Sequence, residues 1–312
     1  MPTIALLDSS DARGDGWHRV IAPGGFEWWH FFVSQPAGDV RVIADFFYGN
    51  PFDPKYLRRF RDYRASPTQN APPTPAEFPA VRLAIYEGNT CLLNTCARIE
   101  PAKFSAGDSE LCFGESHIVR ETGGWRLRIS AETSVEMQLT PTITGPAGAI
   151  GSADYRWIVT APLCEAHGTI RLPDRQIEIH GLAYHDHRYG VASPATAFSR
   201  WLRGCVLRPG ASAAIELAIG QDTDHQQICR AVVAANGTVE PLEFTPSVQW
   251  QRRGLFGIPY PQAITIGHRL ALCRPQRIEQ SCDELTLNYD GFIDGMAAPA
   301  LCQIADFDRM LG

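Results

Sequence analysis

Runs in which apolar and polar residues alternate recur along most of the chain, whereas the apolar spacing typical of helices is scarce. Because successive side chains of a strand point to opposite faces, such runs indicate β-strands. Turn residues separate several of them, including Gly123-Gly124 and Pro173-Asp174. We predict helices only over 54–63 and 300–311, and strands over 28–33, 40–47, 81–86, 91–99, 125–132, 155–160, 168–172, 176–184, 213–219, 227–233, 263–270 and 284–292.

About a dozen short strands separated by turns are typical of antiparallel sandwiches and barrels rather than of βαβ units. The 312 residues are enough for one large domain or for two of ordinary size. We place a division between residues 192 and 193, because a new set of strands begins at Phe198; the Gly- and Pro-rich stretch 141–153 is the alternative. The sequence therefore predicts an all-β chain with an N-terminal domain over 1–192 and a C-terminal domain over 193–312.

The net charge of −6 and the scattered basic residues do not provide the basic stripe that phosphate binding needs, so we expect no nucleic-acid partner. The nine cysteines form no CxxC pair and match neither a zinc nor a disulfide framework, which indicates reduced thiols in a cytoplasmic protein. The first residues lack the pattern of a signal peptide, and no apolar run reaches the ~18 residues of a membrane helix. We expect a soluble chain without a transmembrane segment; peripheral membrane contact and the oligomeric state stay open.

The densest group of polar side chains is Gly-Leu-Ala-Tyr-His-Asp-His-Arg-Tyr-Gly over 181–190, which continues a strand pattern. If that strand stays extended, Tyr184 and Asp186 share one face, and the two neighbouring histidines share the other. A carboxyl group desolvated among aromatic rings can hold a proton near neutral pH, so Asp186 is a candidate acid with Tyr184 beside it. The alternative is a structural carboxylate that pairs with Arg188 or Arg203.

The two histidines of that stretch, His185 and His187, have the spacing of a metal-binding pair on one face of a strand. Such a site needs a third ligand, for which His30, Glu27 and His167 are candidates. Alternatively, the histidines hold the turn and orient the neighbouring carboxylate. We favour this second interpretation and expect no metal ion and no other cofactor.

A second dense stretch, Gly-Gly-Phe-Glu-Trp-Trp-His-Phe-Phe over 24–32, combines six aromatic or imidazole rings with one carboxylate. Alternation places Glu27 and Trp29 on the same face. Most of these rings are expected to fill a barrel wall, but a carboxylate among them has to pair with an arginine or serve chemistry. Further along, Tyr155 and Trp157 share a face, where they either pack the core or shape a pocket.

Together these stretches resemble the carotenoid 1,2-hydratase-like proteins of the calycin group, which include AttH-type bacterial proteins, kievitone hydratase and the lipocalin-like fungal Diels–Alderases. The resemblance implies two lipocalin-like β-barrels packed side by side, with a pocket for a large, apolar, unsaturated substrate near their junction. It also implies that Asp186 protonates a C=C bond with support from Tyr184. The family's hydratases usually carry histidine where this chain has Tyr155. The motifs that carry the resemblance are Glu-Trp-Trp-His-Phe over 27–31, Tyr-Arg-Trp-Ile-Val-Thr-Ala-Pro over 155–162, the stretch 181–190, and Phe-Ser-Arg-Trp over 198–201.

The sequence thus predicts a cofactor-independent enzyme of specialised metabolism that acts by acid/base chemistry on a terpenoid, polyene or polyketide. Its reaction would be the cyclisation, isomerisation or hydration of a C=C bond. No G-x-S-x-G, P-loop or Rossmann motif supports a hydrolase, kinase or dehydrogenase. The alternatives are a non-catalytic lipocalin-like binder of an apolar ligand and a metal-dependent enzyme that uses His185 and His187. We predict Asp186, Tyr184 and Glu27 as catalytic residues, and Trp157, Tyr155, Trp29, His185 and Trp201 as substrate-binding residues.

Overall fold

The computed structural model of the chain describes residues 6–7, 14–36, 39–130, 133–143, 149–152, 155–220, 227–242, 245–251, 257–280 and 284–311. Most of these residues belong to antiparallel strands that form two sheets. The helix predicted over 54–63 is present as α1 (Pro54–Ala65). Asp53 caps it, because its side chain accepts hydrogen bonds from the backbone N–H groups of Lys55 and Tyr56.

The first sheet contains thirteen strands and runs in the order β5-β4-β3-β2-β13-β12-β10-β9-β8-β7-β6, with β1 and β11 attached beside β12. Its strands are β1 (Leu6–Leu7), β2 (Phe26–Gln35), β3 (Val40–Tyr48), β4 (Ala80–Glu87), β5 (Thr90–Arg98), β6 (Phe104–Ala106), β7 (Glu110–Phe113), β8 (Ser116–Glu121), β9 (Gly124–Ser130), β10 (Ser134–Ile143), β11 (Ala149–Ser152), β12 (Tyr155–Arg171) and β13 (Gln176–Gly190).

The second sheet contains nine strands in the order β17-β16-β15-β14-β22-β21-β20-β19-β18. Its strands are β14 (Phe198–Arg208), β15 (Ala211–Gly220), β16 (Gln227–Ala235), β17 (Thr238–Leu242), β18 (Ser247–Gln251), β19 (Tyr260–Ile266), β20 (Leu270–Gln280), β21 (Glu284–Ile293) and β22 (Met296–Asp306). The short helix α2 (Phe307–Leu311) follows.

Each sheet curls around a hydrophobic core of its own, so the chain forms two lipocalin-like antiparallel barrels. The predicted all-β class and the two-barrel architecture are therefore confirmed. Residues 191–197 connect the last strand of the first sheet to the first strand of the second, and they include a short 3-10 helix at Pro194–Thr196. The predicted division between 192 and 193 falls in this connection and stays a prediction; the alternative stretch 141–153 lies partly outside the described residues.

The predicted helix over 300–311 is wrong for most of its length, because β22 continues to Asp306 and α2 has only five residues. One face of β22, with Cys302 and Ile304, packs in the core of the second barrel. The other face, with Leu301, packs against the first barrel. A strand buried on both faces loses the polar alternation that identifies strands in a sequence, so its apolar run was mistaken for a helix.

Several other boundaries differ from the prediction. The separate strands expected over 155–160 and 168–172 are one long strand, β12. The sequence pattern also missed β10, although its side chains alternate in burial along most of its length. The hairpin predicted at Gly123-Gly124 is present and joins β8 to β9. Gly123 has a φ of 98°, a conformation that favours glycine.

The two barrels pack against each other through β2, β3, β12 and β13 of the first sheet and β14, β15, β16 and β22 of the second. As a result, the second half of β13 is covered on both faces: one faces the core of the first barrel, and the other faces the second barrel. No helix of the described residues is long and apolar enough to cross a membrane. The eight cysteines in the described part of the chain are free thiols.

Candidate functional site

The polar stretch 181–190 forms the second half of β13, which pairs with β2 on one side and β12 on the other. Its side chains alternate as the sequence pattern predicted. Tyr184 and Asp186 point toward the second barrel, whereas His185 and His187 point into the first. The register irregularities lie in β12, between Ile158 and Ala161 and between Ala161 and Cys164, so β13 itself stays regular.

Asp186 is completely buried between the two barrels and accepts three hydrogen bonds. Its Oδ2 accepts from the Tyr184 hydroxyl at 2.7 Å and from the Trp157 indole N–H at 2.9 Å. Its Oδ1 accepts from the Arg188 guanidinium at 2.8 Å. We call these four residues the Asp186 cluster. Aromatic groups do surround the carboxylate, as expected, and of the two arginines considered as its partner the structure selects Arg188.

A second carboxylate, Glu216 of β15, joins this cluster to the second barrel. The Arg188 Nε donates to Glu216 Oε1 at 2.9 Å, and the Tyr155 hydroxyl donates to the same oxygen at 2.5 Å. Burial and the nearby Glu216 carboxylate raise the pKa of Tyr155 well above its ordinary value. Burial and the Asp186 carboxylate do the same for the pKa of Tyr184. Both phenols therefore keep their protons at neutral pH and act as hydrogen-bond donors.

Arg203 of β14 is the least satisfied charged group in this region. Its guanidinium lies over the rings of Trp28 and Phe52, 4.6 and 4.5 Å from their centroids, and over that of Trp201 at 5.2 Å. None of its three nitrogens has a hydrogen-bond partner among the described residues, and the carboxylate of Glu284 lies 3.6 Å away. Burial lowers the pKa of Arg203 to about 10, although Glu284 attracts the positive charge.

A small cavity of about 20 Å³ lies at this junction and is lined by residues of both sheets. Such a volume has room for roughly one water molecule. Asp186 and Tyr184 contribute to the wall from β13, and Arg203 and Gln303 contribute from β14 and β22; His30 and Arg188 also line it. The cavity therefore brings together a carboxylate and a buried guanidinium whose nitrogens have no hydrogen-bond acceptor among the described residues.

The opposite face of β13 carries a separate set of polar side chains inside the first barrel. Both ring nitrogens of His185 are occupied: Nδ1 lies 2.9 Å from the carbonyl oxygen of His30, and Nε2 lies 2.9 Å from Asp15 Oδ1. Burial by itself would lower the pKa of His185, but the Asp15 carboxylate raises it above its ordinary value. Burial would raise the pKa of Asp15, and His185 holds it below its ordinary value.

Glu27 lies on the same face and contacts two histidines rather than an arginine. Its Oε1 lies 3.1 Å from His18 Nδ1 and 3.2 Å from His187 Nε2. Burial would raise the pKa of Glu27, but the neighbouring His18 and His187 imidazoles lower it below its ordinary value. We call His18, Glu27 and His187 the barrel triad.

The structure thus separates the predicted site residues into two groups. Glu27, predicted as catalytic, and Trp29 and His185, predicted as substrate-binding, lie on the barrel face of β2 and β13, away from the Asp186 carboxylate. The group that the structure brings together between the barrels consists of Asp186, Tyr184, Trp157, Tyr155 and Trp201.

Sequence reasoning missed three residues that complete these clusters, Glu216, Asp15 and His18, and considered Arg203 only as a partner of Asp186. Glu216 interrupts an otherwise apolar stretch of β15, which was the available signal. Asp15 and His18 lie in a segment before β2 that has no strand or helix pattern, and nothing in the sequence indicated where it would pack.

No protein-family model matches the chain. The chain is similar to hydroxyneurosporene dehydrogenase of Chlorobaculum tepidum, with 23% identity over 233 residues, which are 63% of this chain and 57% of that protein. The chain therefore spans little more than half the length of that relative.

Two solved structures share the fold over nearly the whole chain. One is a protein assigned as AttH from Nitrosomonas europaea, with a TM-score of 0.66, 18% identity and 98% of both chains covered. The other is CghA crystallised with Sch210972, with a TM-score of 0.54, 7% identity, and 91% of this chain and 89% of that chain covered. The chain therefore has the two-barrel, lipocalin-like fold of the AttH-like proteins, as the resemblance in its motifs predicted.

Proposed function

We propose that this protein is a cofactor-independent enzyme of specialised metabolism that acts by acid/base chemistry on an apolar, unsaturated small molecule. The reaction is the isomerisation, cyclisation or hydration of a C=C bond in a terpenoid, polyene or polyketide. The observation that carries this proposal is the Asp186 cluster, a buried carboxylate that holds a phenol, an indole and a guanidinium between two barrels.

Asp186 and Tyr184 are the proposed acid/base pair. The Tyr184 hydroxyl donates to Asp186 at 2.7 Å, so a proton that either group exchanges with a substrate carbon can be shared along this hydrogen bond. Returning the proton to a different carbon moves the double bond, which is an isomerisation. If an internal alkene captures the carbocation formed by protonation, the new cation returns a proton to the Asp186 carboxylate and the product is a ring. If water captures it, the resulting oxonium ion returns a proton to the same carboxylate and the product is an alcohol. The aromatic wall would shield that cation from random water.

Arg203 has a proposed role at the other end of the cavity. Its nitrogens have no hydrogen-bond acceptor among the described residues, although the side chain is buried. A buried donor without an acceptor is costly, and a substrate oxygen would satisfy it. A carbonyl or hydroxyl oxygen bound to Arg203 would place the neighbouring unsaturated carbons near Asp186. The proposed substrate therefore carries an oxygen beside its polyene or terpenoid chain.

The size of the cavity restricts how such a substrate enters. A volume of about 20 Å³ is far below the roughly 300–1,000 Å³ of ordinary ligand pockets. A terpenoid can therefore reach Asp186 only if the facing side chains of the two barrels separate. The connection at 191–197 joins β13 directly to β14, so it lies where a change in the angle between the barrels would be accommodated.

The related proteins favour a small organic substrate over a macromolecule. The relative from Chlorobaculum tepidum is named for hydroxyneurosporene, and CghA was crystallised with Sch210972. The cytoplasmic location expected from the sequence is part of the same proposal.

The test is turnover of a panel of oxygenated polyenes and terpenoids, with the products analysed by mass spectrometry and NMR. A mass gain of one water identifies a hydratase, and an unchanged mass with altered connectivity identifies a cyclase or isomerase. Asp186→Asn should lower kcat by about 100-fold or more, whereas Tyr184→Phe should lower it less. Asp306→Asn is a matched control, because Asp306 is equally buried and pairs with Arg200 away from the cavity. Tight binding without chemical change, or full activity of folded Asp186→Asn, would contradict the proposal and favour a lipocalin-like binder.

A further inference from the structure

The barrel triad is a group of buried polar side chains that the proposed reaction does not use. Glu27 is the second residue of β2, and His187 lies near the end of β13, which pairs with β2. His18 comes from the segment 14–25, which the structure describes without helix or strand. One potential ligand atom from each of the three residues lies within 4.8 Å of the other two.

Two members of the triad, Glu27 and His187, have polar atoms that are incompletely satisfied. Glu27 and His187 are both fully buried. The second carboxylate oxygen of Glu27 and both ring nitrogens of His187 have no aligned hydrogen-bond partner among the residues that the structure describes. The His187 Nε2 lies 3.2 Å from Glu27 Oε1, but the geometry is not that of a hydrogen bond. Burying such atoms without a partner is costly, so a ligand that binds all three side chains would stabilise the barrel.

Two imidazoles and one carboxylate form a donor set typical of zinc and iron sites in proteins. Ligand atoms held 2.0–2.2 Å from one such ion lie about 3.0–3.5 Å from each other. The distances from Glu27 Oε1 to His18 Nδ1 and to His187 Nε2 are 3.1 and 3.2 Å. The carboxylate of Asp15 lies 3.8 Å from the other nitrogen of His187, which is too far for a hydrogen bond but adds a second negative charge beside this imidazole.

We propose that His18, Glu27 and His187 bind one divalent transition-metal ion of the zinc class. The site lies inside the first barrel, on the opposite face of β13 from Asp186. Its role is structural: the ion ties the segment 14–25, which has no strand pairing of its own, to β2 and β13. The proposed site differs from the metal site built on His185 and His187 that the sequence pattern suggests. His185 already uses both ring nitrogens in polar contacts, and His30 lies on the other face, bound to Asp45.

Two surface groups could bind the same ions in solution and have to be distinguished from the triad. His167 and His180 lie side by side on the exterior, with their Nδ1 atoms 3.1 Å apart. A cluster of Glu110, Cys112 and His117 is also partly exposed. The variant His167→Gln/Cys112→Ser disrupts both groups and leaves the triad intact. It is therefore the background in which the triad should be tested.

The experiment strips the purified protein with a chelator and titrates it with Co²⁺, whose visible absorption reports its coordination. We expect one equivalent to bind in the wild type and in the His167→Gln/Cys112→Ser background, to be displaced by Zn²⁺, and to raise the Tm. Glu27→Gln and His187→Gln should each weaken Co²⁺ binding by about 100-fold or more. His30→Gln is the matched control from β2 and should bind Co²⁺ as the wild type does.

Failure of the stripped wild type to take up Co²⁺ would overturn the proposal, and this result does not depend on whether any variant folds. Unchanged affinity in folded Glu27→Gln or His187→Gln would overturn it as well, as would loss of uptake in the background variant. The measurement uses no substrate, so it succeeds or fails independently of the proposed reaction.

Discussion

Asp186→Asn gives a direct test of whether the Asp186 cluster is a buried ion pair. The substitution keeps the shape of the side chain but removes its charge and replaces one acceptor oxygen by an NH₂ group. If the amide oxygen keeps the bonds with Tyr184 and Trp157, the NH₂ group faces the Arg188 donor that is 2.8 Å from the present carboxylate oxygen. Two donors then oppose each other in a site without exposure to solvent.

The expected loss of stability follows from these contacts. Removing one partner of a buried ion pair costs about 3–5 kcal/mol, and the value here should be near the lower limit because Arg188 keeps Glu216 at 2.9 Å. For domains of about 150 residues, each kcal/mol corresponds to roughly 2–4 °C in Tm. We therefore expect the Tm of Asp186→Asn to fall by about 6–12 °C.

The assay is thermal unfolding followed by circular dichroism and calorimetry, with Arg188→Met and the double variant completing a mutant cycle. A coupling free energy of about 1 kcal/mol or more between the two positions would establish the ion pair. An unchanged or higher Tm in Asp186→Asn, or additive effects in the cycle, would refute the reasoning.

Three further predictions concern neighbouring features. Arg203→Met should leave the Tm within a few degrees of the wild type or raise it, because no described group hydrogen-bonds to that guanidinium; a large loss would show that Arg203 stabilises the interface. Burial would raise the pKa of Asp45, but His30 and two arginines hold it below its ordinary value. Its ionised form therefore stabilises the fold above the unfolded pKa of about 3.9, and this contribution is lost as the pH falls through the lower folded pKa. The difference in unfolding free energy between wild type and Asp45→Asn, measured in urea, should be full at neutral pH and shrink in acid, and a constant difference would contradict the assignment. Gly181→Ala should destabilise by about 1–3 kcal/mol, because a Cβ there would lie 2.5 Å from a backbone oxygen of β2; Gly107→Ala, whose nearest neighbour is at 3.6 Å, is the control.

The fold could be predicted because a strand with one buried and one exposed face alternates between apolar and polar residues in the sequence. β9 and the first half of β13 show polar alternation that a sequence pattern detects. The pattern failed where both faces are covered, as in β22, because a strand packed between two barrels has no polar face to alternate. Most neighbouring strands are consecutive in the chain, but the pairings of β2 with β13 and of β14 with β22 are long-range, and no local pattern specifies them.

The site was predictable only in part, for a related reason. Strand parity placed Tyr184 with Asp186 and separated both from His185, since parity is a local property. Parity also placed Glu27 and Trp29 on the same face of β2. It does not identify the residues of other segments that contact Glu27, which are His18 and His187. The contributions of Glu216 and Arg203 come from strands of the second barrel, and that of Asp15 comes from a segment without a pattern. Their positions depend on how the barrels pack.

The irregular pairing of β12 indicates where related chains can tolerate insertions and deletions. Residues 158–164 of β12 span the same distance as residues 183–187 of β13, so β12 already accommodates extra residues as local bulges. An insertion there could be absorbed by another bulge. A one-residue insertion between Tyr184 and His185 would instead exchange the faces of the residues that follow it, turning Asp186 into the barrel and a histidine toward the cavity. Length variation among related chains should therefore occur in β12, and β13 should keep a constant length.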